Sequence, residues 1–186
     1  MLPIPSGFET IMQIKVHLGE ARTQYWYSNA LFSFQWWFSV FVPLGFVWIW
    51  IKLYKRSQLV ETVLYGLLWA TTASYLDFVG TSFLLWEYPY TILPYSNKDL
   101  SANLTSIPIA FMLVYQYCST IKSFTGGTVA IAIFFAFVME PFLVWLGLYK
   151  LYHWTFCFSF ILYIVFSFVF RWLTKKIIAA QLKQEK

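Results

Sequence analysis

The stretch LFSFQWWFSVFVPLGFVWIWIKLYKR, residues 31–56, decides the fold class. No charged residue occurs between Leu31 and Ile51, and Lys52, Lys55 and Arg56 then follow in quick succession. A soluble helix shows one apolar stripe, whereas this run is apolar all round. At 1.5 Å of rise per residue, a helix over residues 31–53 reaches about the 30 Å of a bilayer's hydrocarbon core.

Four later stretches repeat the pattern, at residues 59–84, 103–122, 127–149 and 153–174. The fold expected is therefore all-α, a polytopic membrane helical bundle of about five transmembrane helices. Composition agrees, with 60% hydrophobic, 23% aromatic and only 11% charged residues. Average soluble proteins carry about a quarter charged residues. Eight acidic side chains cannot solvate a 186-residue globule.

The net charge of +5 raises the question of nucleic acid. However, the basic residues form two clusters, Lys52–Arg56 and Arg171–Lys186, each directly after an apolar run. That is how cytoplasmic membrane flanks are marked, so the partner is the lipid bilayer and no nucleic acid is expected. Across alternate connections, nine Lys and Arg fall on one side and four on the other. The positive-inside rule puts the N-terminus outside and the C-terminus in the cytoplasm.

The chain then divides into an N-terminal extramembrane or interfacial segment (1–30), a membrane domain (31–174) and a basic cytoplasmic tail (175–186). Phe8, Ile11, Met12, Ile14, Val16 and Leu18, followed by Tyr25-Trp26-Tyr27, suit either an interfacial helix ending in an aromatic belt or a soluble turn with one short helix. The first strong apolar run starts too late for a cleavable signal peptide. Gly126-Gly127 reads as the turn joining spans three and four. Cys118 and Cys157 lie in apolar stretches without CxxC spacing and read as packing residues.

Polar groups inside spans are costly and normally face a bundle interior or cavity. Glu140, in FAFVMEPFLVW, lies in the outer half of its span, where Pro141 loosens the helix. Thr71, Ser74, Asp77 and Thr81 follow three- and four-residue steps and predict one polar helix face. Gln35, Asn103, Glu87, His153 and Trp154 also fall toward the outside, while Gln116 lies deeper. The candidate ligand-binding residues are thus Asp77, Glu87, Glu140, His153, Trp154, Gln35, Asn103 and Gln116. Glu140 and Asp77 are the candidates for any catalysis.

HExxH, Walker and GxSxG motifs are absent, and His17 and His153 alone cannot build a metal site, so no metal or cofactor is expected. Asn103-Leu-Thr105 matches the N-glycosylation pattern.

WEYPYTILPYS, Pro108, the YQY of span three, Glu140 and YHW together resemble an uncharacterised family of small multi-pass membrane proteins from spore-forming Firmicutes (Bacillus and Clostridium). The resemblance covers about residues 69–172. The family's glutamate-tyrosine-proline turn falls on Glu87, Tyr88 and Pro89, its buried glutamate on Glu140, and its tryptophan opening the last span on Trp154. The resemblance implies a helical bundle in a bacterial cytoplasmic membrane, and it argues against glycosylation of Asn103. It transfers location rather than mechanism.

Three functions fit these residues. The first is a non-enzymatic protein whose outward-facing acidic and aromatic pocket takes a small amphiphile, a cation or a partner membrane protein. The second is a membrane-embedded enzyme acting on an isoprenoid or lipid, a lyase, cyclase or isomerase with Glu140 as general acid. The third is a structural accessory subunit whose polar residues hold helices together.

Overall fold

The computed structural model describes residues 5–95 and 101–184. Lys98 and Lys186, both used in the charge count, lie outside them. The described chain is all-α apart from one two-residue strand pairing. Three of its helices are long and apolar enough to cross a membrane: Phe34–Leu53, Ile121–Trp145 and Phe156–Lys183.

The helices are α1 (Phe8–Tyr25), α2 (Phe34–Leu53), α3 (Leu59–Ser82), α4 (Ile107–Tyr117), α5 (Ile121–Phe134), α6 (Glu140–Trp145) and α7 (Phe156–Gln184). A π-helical turn, Trp26–Ala30, continues α1, and another, Ala102–Ser106, leads into α4. A third, Phe135–Met139, joins α5 to α6. It sits immediately before Pro141, where a proline cannot supply its share of the hydrogen-bond ladder, and wide turns of this kind absorb such a defect.

Helix α4 is the innermost. It packs against α2, α3 and α5, and buries Pro108, Ala110, Phe111, Met112, Tyr115 and Gln116. Helix α3 buries a continuous stripe that includes Thr62, Tyr65, Gly66, Trp69, Asp77, Gly80 and Thr81. This differs from the polar face expected from sequence, because Thr71 is exposed. What selects the stripe is close packing. A side chain on Gly66 would collide with Met112. The core joins Tyr65 stacked on Tyr115 and Trp69 stacked on Phe111, with ring centroids 4.5 and 4.2 Å apart.

The turn between spans three and four is at Cys118–Thr120, not at Gly126-Gly127. Thr120 caps α5 by accepting from the Ser123 amide at 3.1 Å. The buried Arg171 guanidinium reaches across from α7 and donates to the carbonyls of Cys118 (3.2 Å) and Ser119 (2.6 Å), which answers the open end of α4. Gly126 and Gly127 are helical, and Gly127 lets α5 approach Val114 and Cys118 closely. The last helix also differs from its expected span. It begins at Phe156 rather than 153 and runs on through Lys175, Lys176 and Lys183.

Beyond α3 the chain forms β1 (Trp86–Glu87), which pairs antiparallel with β2 (Lys150–Leu151). Trp86 stands opposite Leu151, and Glu87 opposite Lys150. Gly80 makes this crossing possible, since a Cβ there would lie 2.1 Å from the Trp86 ring. Gly80→Ala should therefore lower stability by about 1–3 kcal/mol through overpacking. Gly126→Ala, with nothing within 4 Å, should be neutral or slightly stabilising. Thermal melts in detergent compare the two, and equal melting temperatures would contradict the packing.

Candidate functional site

Asp77 sits one turn before the end of α3 and is 3% exposed. Its Oδ1 accepts from the Trp86 indole N–H at 2.8 Å and from the Tyr88 hydroxyl at 2.7 Å. Its Oδ2 accepts from the Asn103 amide at 2.8 Å. The donors come from the loop after α3 and from the π-turn ahead of α4, so one carboxyl group fastens two other segments to α3. The nearby Thr81 hydroxyl is turned back onto the Asp77 carbonyl at 2.9 Å.

Glu140, at the start of α6, is 8% exposed. Its Oε2 accepts from the Ser159 hydroxyl at 2.9 Å and its Oε1 from the Tyr163 hydroxyl at 3.0 Å, both on α7. Trp154 donates its indole N–H to Ser159 at 2.9 Å. The two carboxyl clusters meet through rings, because Trp86 and Trp154 pack edge to face at 4.9 Å. Tyr88 stacks on Tyr149 at 5.4 Å beside them.

Both carboxyl groups line one cavity of about 170 Å³. Trp69, Phe135 and Phe166 form part of its inner wall, and Trp86, Tyr88 and Trp154 lie at the end where β1 and β2 cross. No Lys, Arg or His among the described residues lines it. No group of described His, Cys, Asp and Glu could hold a metal ion.

Of the eight candidates, Asp77, Asn103, Glu140 and Trp154 come together around this cavity. The other four do not line it. Gln35 donates from α2 to the Leu146 carbonyl at 3.3 Å. Gln116 works at the opposite end of the bundle, where it donates to the Leu53 carbonyl and accepts from the Lys55 amide. This answers the C-terminal end of α2. His153 has an exposed side chain, and its backbone N–H donates to Leu85. Glu87 is half-buried in β1, opposite Lys150 and close to the charge of Arg22.

Sequence reasoning missed four residues that build the site. Trp86 and Tyr88, in the WEYPYTILPYS stretch, turn inward onto Asp77. Ser159 and Tyr163 drew no attention. One signal was available for them: positions 159 and 163 are one turn apart on one helix face, as donors to a single carboxyl must be. Asn103 is buried and its amide nitrogen, where a glycan would attach, is bonded to Asp77, so this packing has no place for one.

No family model, curated protein or solved structure matches this chain. The site is thus described by its own geometry.

Burial pushes the Glu87 carboxyl above the usual carboxylate range, against the opposing pull of the Arg22 charge and the Tyr88 backbone N–H. Between the ordinary value and the raised one, the folded chain holds a proton that the unfolded chain has lost. This group therefore favours folding fully below that window and less as pH rises through it. The melting temperature of the parent chain minus that of Glu87→Gln, measured in detergent, should fall as pH rises from about 4.3. It should level off above the raised pKa. A difference that stays flat with pH would contradict the burial of this group.

Proposed function

We propose that this chain is a multi-pass protein of a bacterial cytoplasmic membrane that holds a small amphiphile or cation in the cavity lined by Asp77 and Glu140. It crosses the membrane five times, with its N-terminus outside and the cavity at the outer end. The cavity carries the proposal. Ligand sites are concave and mostly apolar, with a few convergent polar groups, and this one sets two buried carboxyl groups from different helices among aromatic rings.

Several features support the five crossings. Helix α3 has 24 residues, enough for about 36 Å of rise. The segment over residues 102–117 is short, but neighbouring helices surround it, so it needs little lipid-facing length. The charge distribution favours the orientation, and the family resemblance favours the membrane.

Asp77 and Glu140 have separable roles in this reading. Among the described residues, Asp77 takes donors from Trp86, Tyr88 and Asn103 and shapes the cavity. Glu140 accepts two hydroxyls, about half of what a carboxylate can accept, and leaves capacity for a guest.

The test has two arms. In a chain with Cys118 and Cys157 replaced by Ala, Tyr95→Cys in the outer loop should react with a membrane-impermeant maleimide in intact cells. In nanodiscs, benzyl alcohol should raise the melting temperature saturably. Ala73→Phe, which fills the cavity from α3, should abolish that rise. Labelling only after lysis would overturn the orientation, and an equal response in Ala73→Phe would overturn the site.

A further inference from the structure

The cavity wall holds more than an apolar guest requires. Six of its rings, Trp69, Trp86, Tyr88, Tyr149, Trp154 and Tyr163, combine an apolar face with the negative quadrupole that attracts cations. Glu140 belongs to the same wall, and its bonds come from neutral hydroxyls. Among the described residues, no ion pair involves Glu140. The space available, about 170 Å³, is close to the ~150 Å³ apolar cavity that admits benzene.

These features select among cations. A compact, strongly hydrated ion would have to exchange its water for a wall made mainly of carbon, and stripping a small charge of water is costly. An ammonium carrying alkyl groups is different. Its charge is spread beneath a carbon surface, its alkyl groups can lie on the rings, and its size matches the space. A neutral alcohol of the same shape donates at most one hydrogen bond to Glu140 and leaves its charge unmatched.

We infer that the ligand of this cavity is a small alkylammonium cation, seated with its alkyl groups against the aromatic wall and its charge beside Glu140. The inference rests on the reading of the cavity as a binding site and names the class of molecule that it takes.

The test uses the full chain in nanodiscs and two probes of nearly equal shape. Choline carries a permanent charge, and 3,3-dimethylbutan-1-ol replaces its nitrogen with carbon. Calorimetric titration should show choline binding at least about tenfold more tightly than the neutral isostere. Glu140→Gln keeps the side chain's size and an oxygen to accept from Ser159 or Tyr163. It should lose this preference while still binding the isostere. An unchanged melting temperature in Glu140→Gln confirms that the comparison is between folded proteins, and if that variant unfolds, Ala73→Phe replaces it and should abolish binding of both probes, with choline binding unchanged there overturning the assignment to this cavity.

Equal binding of the two probes would overturn the alkylammonium class and leave the binding site standing. So would binding of benzyl alcohol but not choline. Failure of all three probes would overturn the binding-site reading itself.

Discussion

The buried carboxyl of Asp77 is the constraint on which the end of the bundle where β1 and β2 cross depends. A carboxyl group in the interior must find donors, and here they come from separate segments of the chain: Trp86 and Tyr88 from the loop after α3, Asn103 from the turn before α4. The contact positions more than the donors. Trp86 lies on Gly80 and meets Trp154 edge to face, Trp154 donates to Ser159, and Ser159 donates to Glu140. Each step fixes the next, so the placement of one carboxyl on α3 is transmitted to the other on α6. The two-residue pairing of β1 with β2 needs little intrinsic strength, because the indole on one strand is already held from beneath.

The opposite end of the bundle is built differently. There the polar groups close helix ends instead of lining space. Arg171 answers the carbonyls of Cys118 and Ser119 while lying 4.1 Å from the Phe124 ring centroid, and Gln116 and Tyr117 both donate to the Leu53 carbonyl. Tyr65 and Tyr115 stack between the two ends. One end is thus tied by backbone caps around a packed core, and the other keeps an aromatic cavity. That contrast favours the cavity end as the place of any binding over a uniform helical scaffold.

Much of this fold was legible in the sequence, because apolar length is a property of the chain itself. The helices Phe34–Leu53 and Leu59–Ser82 lie close to the bounds expected for them, though of the two only the first is long and apolar enough to count as a membrane-crossing helix. Boundaries that depend on tertiary contacts were less visible. Gly126-Gly127 looked like a turn, since glycine pairs often are. The real turn is fixed by Thr120 locally and by Arg171 from a helix more than fifty residues away. The carboxyls of the site were legible because charge in an apolar run is conspicuous. Their partners were not, because a tryptophan near a bilayer surface satisfies the same sequence pattern whether it faces headgroups or an aspartate. Thr71 shows the converse. Its spacing from Asp77 suggested a shared face, while the packing of Gly66 and Gly80 rotates the buried stripe away from it.

The most direct test of the account is native mass spectrometry of the chain released from the membrane in which it is expressed. A chain that holds a small molecule in this cavity should carry a noncovalent adduct that accumulates on the parent protein and is missing from Ala73→Phe. The mass of that adduct should be that of a small alkylammonium ion with few heavy atoms. A bare chain in both cases, or the same adduct on both proteins, would contradict the claim that the space between Asp77 and Glu140 is a binding site.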